Sequence, residues 1–230
     1  LTASQKAYLF GLITVVLWST IATALKLTLR HIDQYQMLFV ATLTSTLFLG
    51  TVLAFQRRLI DTLRGLGEYW RLSLAQGVLN PLVYYLILFS AYDLLPAQVA
   101  QPINYTWAIT LMLLSVLILK QRPTRADYIS AMICYSGVLV ISLQGGSGGF
   151  SIANPVGVAL ALLSTIIWAL YWILNMRDQR DSLVTLFSGF LFSLPLVILG
   201  TVLLSSIEAL PFEGIVGGVY IGLFEMGVGF

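Results

Sequence analysis

The sequence predicts an all-α polytopic membrane protein. Of its 230 residues, 58% are hydrophobic and only 10% are charged, whereas soluble domains carry about 25% charged residues. The apolar residues form runs of about twenty, the length that a helix needs to cross a hydrocarbon core of about 30 Å. The basic residues gather in alternate breaks between these runs. We therefore expect the chain to cross a lipid bilayer repeatedly and to have the bilayer as a partner.

Seven runs meet the length requirement or come close to it, and we number them as spans 1 to 7. They are Ala7–Leu29, Gln34–Phe55, Leu72–Leu95, Ala97–Leu119, Asp127–Leu143, Pro155–Met176 and Ser182–Leu204. An eighth span starts near Gly214 and continues to Phe230. The first run is too long for the apolar core of a signal peptide, so we predict a true span. The runs also lack the strict alternation of barrel strands.

Lysine and arginine predict the orientation, because short cytoplasmic loops carry an excess of them. Ten of the twelve basic residues fall before span 1 or after spans 2, 4 and 6, and only Lys26 and Arg30 lie on the opposite side. We therefore predict a cytoplasmic N-terminus. The loop after span 5 has no charge and the loop after span 7 has only Glu208 and Glu213, so both are expected outside.

A repeated sequence indicates an internal duplication. Leu49–Leu53 in span 2 and Leu199–Leu203 in span 7 are identical, and the same offset aligns Trp18 with Trp168. Chance is the alternative, since apolar segments use few residue types. If span 6 repeats span 1, the unit has five spans and the second unit is inverted, which is typical of transporters. We then expect ten spans in the full protein, of which about eight are present here, the last one truncated.

Polar residues inside spans are the candidate site, because a polar side chain in hydrocarbon is costly and usually functional. Span 4 places Gln101 and Tyr105 on one helical face, with Asn104 adjacent and Trp107 following. Pro102 interrupts the hydrogen-bond ladder beside them. This pattern favours a substrate pathway. Interhelical hydrogen bonding that only holds the bundle together is the alternative.

Spans 3, 1 and 6 add further candidates. Asn80 precedes Pro81 in mid-span, which predicts a kink, and Tyr84 lies one turn further along. Trp168 and Tyr171 belong to an aromatic stripe of span 6 that either lines a cavity or packs against neighbouring helices. In span 1, Trp18 is the counterpart of Trp168 in the predicted repeat. Near the outer end of span 3, we interpret Tyr92 as an interfacial anchor.

Glu225 is the single acidic residue expected deep in a span. It lies eleven positions after Gly214, or about 16 Å along a helix, which is near the centre of the bilayer. Desolvation there favours the neutral carboxyl group. Protons are therefore a candidate coupling ion, and a cationic group of the substrate is a second candidate partner. A buried, hydrogen-bonded structural acid is the alternative.

Other classes of function have little support in the sequence. A single cysteine, Cys134, and a single histidine, His31, exclude a disulfide framework and most zinc sites. We predict no metal site, no cofactor and no nucleic-acid partner. No arrangement of an intramembrane nucleophile with a histidine is present, so we expect no catalytic residues and no enzymatic activity. An intramembrane enzyme or a membrane scaffold is the rival from another class.

Two motifs resemble a known family. Leu17-Trp18-Ser19-Thr20 in span 1, Asn104-Tyr105-Thr106-Trp107 in span 4 and the doubled five-span unit resemble the EamA-domain branch of the drug/metabolite transporter superfamily. The span 4 motif is similar to that of bacterial aromatic amino acid exporters. The resemblance implies ten spans and a central cavity built mainly from spans 1, 3, 4, 6, 8 and 9. It places these residues near the pathway: Trp18, Asn80, Tyr84, Asn104, Tyr105, Trp107, Trp168 and Glu225.

The expected organisation and function follow from the patterns and the resemblance together. Residues 1–143 form the first EamA-like repeat, 144–154 a glycine-rich external linker, and 155–230 the second repeat, truncated within span 8. The expected function is movement of a small organic metabolite across a bacterial inner membrane by alternating access. An amino acid or related amphiphile is the favoured substrate, and export the favoured direction. A nucleotide-sugar or drug carrier is the alternative, and the oligomeric state is not specified by these patterns.

Overall fold

The computed structural model describes residues 3–143, 154–207 and 210–228. Within these ranges every regular element is a helix. Five helices are long and apolar enough to cross a membrane: Gln34–Phe55, Trp70–Leu94, Ala97–Ile118, Pro155–Asn175 and Ser182–Leu204. Two shorter apolar helices cover Thr14–Thr28 and Phe212–Phe224. The predicted all-α polytopic fold is confirmed.

Eleven α-helices are assigned in the described ranges. They are α1 (Ala3–Thr28), α2 (Gln34–Phe55), α3 (Leu59–Gly65), α4 (Trp70–Gly77), α5 (Tyr84–Leu94), α6 (Ala97–Tyr105), α7 (Trp107–Ile118), α8 (Arg125–Leu143), α9 (Pro155–Asn175), α10 (Ser182–Leu204) and α11 (Phe212–Phe224). A π-helical segment, Val78–Val83, joins α4 to α5. The predicted external linker, apart from Asn154, lies outside the described residues.

The chain forms two compact units. Unit 1 contains Leu1–Gly77 and Asp181–Phe230, and unit 2 contains Val78–Arg180. Unit 1 thus combines spans 1, 2, 7 and 8, and unit 2 combines spans 4, 5 and 6 with the second half of span 3. The two units are defined by packing contacts, whereas the two predicted repeats are defined by similarity between sequence segments. The units therefore do not test the repeats, which stay a prediction.

In unit 1, α2 packs against both α10 and α11. Asp33 caps α2 with a capping box, which satisfies backbone donors that a helix start leaves free. Its other carboxylate oxygen accepts a hydrogen bond from Ser205, and Gln36 Nε2 donates to the Ser206 carbonyl at 2.6 Å. These bonds fix the start of α2 beside the end of α10.

Glycines allow the helices of unit 1 to approach closely. A Cβ atom added at Gly77 of α4 would lie 2.1 Å from the backbone oxygen of Gly189 in α10. A Cβ atom added at Gly222 of α11 would lie 2.5 Å from the backbone oxygen of Ala41 in α2. Small residues at such crossings are how membrane helices gain packing, since lipid provides no hydrophobic drive between them.

In unit 2, α5, α6 and α7 all pack on α9. Asn154 caps α9, and Pro155 occupies its first turn, where a missing N–H costs nothing. Near that end, a Cβ atom at Gly157 would lie 2.7 Å from the Leu95 side chain. The central helix α9 therefore presents its residues to three neighbouring helices, and this arrangement positions the candidate site.

Span 3 is broken where its sequence predicts a kink. Asn80 has φ −142° and ψ 118°, an extended conformation inside the π-helical segment. A residue before proline is pushed out of the helical region in this way, because the proline ring collides with its backbone. In span 4 the helix assignment breaks only at Thr106, four residues after Pro102, where α6 ends and α7 begins. The Thr106 backbone stays in the helical region, with φ −69° and ψ −1°, so only span 3 consists of two half-helices.

Candidate functional site

Eight of the ten predicted site residues belong to unit 2. They are Asn80, Tyr84, Gln101, Asn104, Tyr105, Trp107, Trp168 and Tyr171. The other two, Trp18 and Glu225, belong to unit 1.

Five aromatic residues of unit 2 form one contiguous group, which we call the aromatic cluster: Tyr84, Trp107, Trp168, Tyr171 and Trp172. Trp168 stacks on Tyr84 with ring centroids 4.4 Å apart, and Trp107 stacks on Trp172 at 6.3 Å. Trp168 also makes edge contacts with Trp107 and Trp172. Trp168, Tyr171 and Trp172 lie three and four residues apart on α9, a spacing that brings side chains to one helical face.

A polar chain runs beside the aromatic cluster through Asn104. The Tyr84 hydroxyl donates to Asn104 Oδ1 at 3.4 Å, and Asn104 Nδ2 donates to Ser164 Oγ at 3.0 Å. Ser164 in turn donates to the Ala161 carbonyl at 2.7 Å. Asn104 is 6% exposed, so a buried amide joins α5, α6 and α9 and fixes the ring of Tyr84 against Trp168.

Gln101 and Tyr105 make a separate polar group. The Tyr92 hydroxyl donates to Gln101 Oε1 at 2.6 Å, and Gln101 Nε2 donates to the Tyr105 oxygen at 2.7 Å. Tyr105 is 46% exposed. Tyr92 is buried, so its interpretation as an interfacial anchor is wrong: its ring packs inside the unit and its hydroxyl bonds to α6.

Asn80 is the least satisfied polar residue of unit 2. It is 1% exposed, and neither Oδ1 nor Nδ2 has a hydrogen-bond partner among the described residues. The Tyr171 phenol is near enough to interact with the Asn80 amide without meeting the distance and angle of a proper hydrogen bond. A buried amide with both atoms unpaired is rare in a native structure, since most buried polar groups are satisfied.

Trp172 and a hydroxyl group around Thr110 lie beyond the predicted site residues. The indole N–H of Trp172 is buried without a partner among the described residues. Its spacing of four from Trp168 places it on the same face of α9. Thr110 Oγ1 lies 2.9 Å from Thr165 Oγ1 and 3.1 Å from the Tyr135 hydroxyl. These hydroxyls tie α7 and α8 to α9, and scattered threonines gave no sequence signal.

The aromatic cluster carries no formal charge. The Asp, Glu, Lys and Arg residues of unit 2 are Asp93, Lys120, Arg122, Arg125, Asp127, Arg177, Asp178 and Arg180. All of them lie at helix ends or in connections. Two form a buried ion pair just after α9, where Arg180 Nη2 lies 2.7 Å from Asp178 Oδ2. The described residues contain no group of three metal-ligating side chains.

In unit 1, the indole N–H of Trp18 is buried without a partner in the described ranges. Two residues further on, Thr20 Oγ1 lies 2.6 Å from the Tyr220 hydroxyl, which joins α1 to α11. Glu225 caps α11 and is partly exposed. The N–H groups of Met226 and Val228 each bond to a carbonyl five residues earlier, a pattern that occurs where helices end.

Comparisons with known proteins identify the family. A family description, the EamA-like transporter family, matches residues 5–143. The aromatic amino acid exporter YddG of Ancylobacter novellus is 25% identical over 178 residues, which cover 76% of this chain and 60% of the exporter. An uncharacterized transporter of Acidianus ambivalens is 34% identical over 85 residues, covering 36% of this chain and 32% of that protein. An uncharacterized transporter of Archaeoglobus fulgidus is 23% identical, covering 73% of this chain and 56% of that protein.

One solved crystal structure has the same fold. It is 23% identical in sequence, superposes with a TM-score of 0.70, and the match covers 98% of this chain and 76% of that chain. The chain spans 60% or less of the length of the curated relatives described above.

Apolar spanning helices and a buried polar and aromatic site define a multi-pass membrane protein. The chain belongs to the EamA-like transporter family, because the family description matches more than half of its length. The resemblance seen in spans 1 and 4 is thereby confirmed.

Proposed function

We propose that the protein moves a small organic metabolite, an amino acid or a related amphiphile, across a bacterial inner membrane by alternating access, with export as the direction. One observation carries the proposal: buried amide and aromatic side chains meet beside the broken helix of span 3 inside a lipid-spanning unit. Discontinuous helices near the bilayer midplane are where secondary transporters bind their substrates. The similarity to an aromatic amino acid exporter of Ancylobacter novellus favours an aromatic substrate.

Close glycine crossings in unit 1 are consistent with the predicted inverted repeat. In span 3, Gly77 contacts the backbone of span 7, three residues before the kink at Asn80. In span 8, Gly222 contacts the backbone of span 2, three residues before the C-cap Glu225 at the end of α11. Spans 3 and 8 correspond in the predicted repeat, as do spans 2 and 7. A close glycine crossing before a helix interruption in each of the corresponding spans favours a duplicated unit.

The charge distribution favours a metabolite over the nucleotide-sugar alternative. Phosphate groups are usually recognised by arginine or lysine, and the aromatic cluster of unit 2 has neither. A drug carrier remains the second candidate, since aromatic walls also accept apolar cations. Enzymatic chemistry is not part of the proposal, because the aromatic cluster offers amides, hydroxyls and rings in place of a nucleophile with a base.

Transport by the purified protein in liposomes tests the proposed function. The assay panel contains labelled aromatic and aliphatic amino acids, a nucleotide sugar and a cationic drug. We expect saturable counterflow of aromatic amino acids. Trp168→Leu should reduce it at least tenfold, because Trp168 stacks on Tyr84 and contacts three other rings. Phe55→Leu is the matched control, since Phe55 is 86% exposed. Absence of amino acid counterflow in the wild-type protein would refute the proposal.

The predicted orientation has its own test. Single cysteines are introduced at Arg64, Arg122 and Ser147 in a Cys134→Ser background, because Cys134 is free and exposed. An impermeant thiol reagent added to intact cells should label only the Ser147→Cys protein. The other two should react only after the membrane is permeabilised. Labelling of the arginine positions in intact cells would reverse the orientation.

A further inference from the structure

The break in span 3 leaves a polar side chain without partners inside unit 2. Asn80 has an extended backbone between α4 and α5, so it stands outside the regular hydrogen-bonding pattern of either helix. Its side chain is 1% exposed, and both amide atoms are unpaired among the described residues. Burying an amide in this way opposes folding, so a folding role does not account for it.

The surroundings of Asn80 are aromatic and uncharged. The segment Val78–Val83 packs against α9 and α5. The Tyr171 phenol faces the amide, and Tyr171 contacts Trp168 at 5.6 Å between ring centroids. Tyr84, four residues after Asn80, stacks on the same tryptophan ring with centroids 4.4 Å apart. The unpaired amide therefore lies at the edge of the aromatic cluster, where a ligand's polar end would meet its apolar end.

We propose that the Asn80 amide is the subsite for the polar head group of the transported metabolite. This inference rests on the proposed function and specifies its substrate. An asparagine amide offers N–H donors on one side and a carbonyl acceptor on the other. Its complement is a group with an acceptor and a donor side by side, as in the carboxylate and ammonium of an amino acid. The ligand's ring or apolar chain lies against the aromatic cluster.

The residues around Asn80 are uncharged, and this determines which net charge the bound head group can carry. None of the five residues of the aromatic cluster is ionisable at neutral pH, and Asn80 is neutral. A ligand with a net charge would lose its hydration there without gaining a counter-charge, which is strongly unfavourable. A zwitterion has zero net charge and satisfies both amide atoms at once. The site is therefore specific for zwitterionic amphiphiles with no net charge.

Four probes with the same aromatic body separate the contributions of the head group. L-Phenylalanine is zwitterionic, phenylalaninamide and phenethylamine are cationic, and 3-phenylpropionate is anionic. In the wild-type protein, competition for L-phenylalanine counterflow should be at least about tenfold weaker for each charged probe than for unlabelled L-phenylalanine, as expected when a buried hydrogen-bonding group is left unmatched. Equal competition by all four would overturn the inference and leave amino acid transport intact.

The Asn80→Leu variant tests the residue itself. Leucine has a similar size and no polar atoms, so the variant's Tm in detergent should equal or exceed that of the wild-type protein. Its affinity for L-phenylalanine should fall at least about tenfold, and its preference for the zwitterion should disappear. Gln121→Leu, which replaces an exposed amide of the same unit, should change neither. Retained preference for the zwitterion in Asn80→Leu would overturn the inference.

A second variant keeps the test decisive if Asn80→Leu fails to fold. Asn80→Asp keeps the shape but replaces the amide donor with an acceptor that carries negative charge when ionised. Its preference should move from L-phenylalanine toward phenethylamine, by about tenfold or more. If Asn80 had only a structural role, the four probes would compete with the Asn80→Asp variant in the same order of strength as with the wild-type protein. That result would overturn the inference. If the wild-type protein transports no amino acid at all, the proposed function fails as well.

Discussion

Replacement of Gly77 by alanine should strongly destabilise the protein. The added Cβ atom would lie 2.1 Å from the Gly189 backbone oxygen and 3.0 Å from its carbonyl carbon. Backbone atoms cannot rotate aside as the end of a side chain can, so α4 and α10 would have to separate. Overpacking costs about 1–3 kcal/mol in well-packed cores, and occasionally more. We expect a loss at the upper end, measured as a fall in Tm in detergent.

Gly200→Ala is the matched control for this prediction. Gly200 lies on α10, the same helix that Gly77 contacts, and an added Cβ atom there meets nothing within 4 Å. Alanine is favoured over glycine in helices by about 1 kcal/mol, so this variant should be as stable as the wild-type protein or more so. Equal Tm values for the Gly77 and Gly200 variants would mean that the close crossing of α4 and α10 does not limit stability.

Replacement of Glu225 by glutamine should abolish the response of transport to a pH gradient. Glutamine keeps the size and much of the hydrogen bonding of the carboxyl group but cannot ionise. A transporter driven by protons needs a group whose charge state changes the relative stability of its two facing states. Glu225 is the C-cap residue of α11 and is partly exposed. The variant should exchange substrate in counterflow while losing accumulation driven by the gradient.

Glu213→Gln provides the comparison for Glu225→Gln. Glu213 lies in the first turn of the same helix and is exposed, so its neutralisation should leave gradient-driven transport unchanged. Accumulation is measured in liposomes with an imposed pH difference, and counterflow without one. Normal gradient-driven accumulation by the Glu225→Gln protein would assign this residue to packing.

The sequence predicts most of the helices because lipid imposes a simple length rule. Gln34–Phe55 and Ser182–Leu204 have the predicted bounds, and the break at Asn80 follows from the proline after it. The short helix Leu59–Gly65 was missed, because it lies in a basic connection that carries no spanning signal. The break in span 4 falls at Thr106, although Pro102 is the residue that the sequence marks.

The site was predicted in part, and the difference lies in tertiary contacts. Helical spacing brings Trp168 and Tyr171 to one face, but it does not reveal that Trp107 completes the stack from another helix. Tyr92 illustrates the converse case: its position near a span end suggested an anchor, whereas Gln101 binds its hydroxyl. Whether the Asn80 amide finds hydrogen-bond partners depends on every neighbouring helix. A local sequence pattern therefore cannot predict that it is unpaired.

The discontinuous chain of unit 1 has a consequence for biosynthesis. Gln36 and Ser45 of α2 donate to carbonyls of Ser206 and Met226, which follow 170 and 181 residues later in the chain. At a synthesis rate of about 5–20 residues per second, α2 waits roughly 10–35 s for these partners. During that interval its buried polar groups have no native acceptor, so the insertion machinery or nearby lipid headgroups must shelter the nascent helix until α10 and α11 emerge from the ribosome.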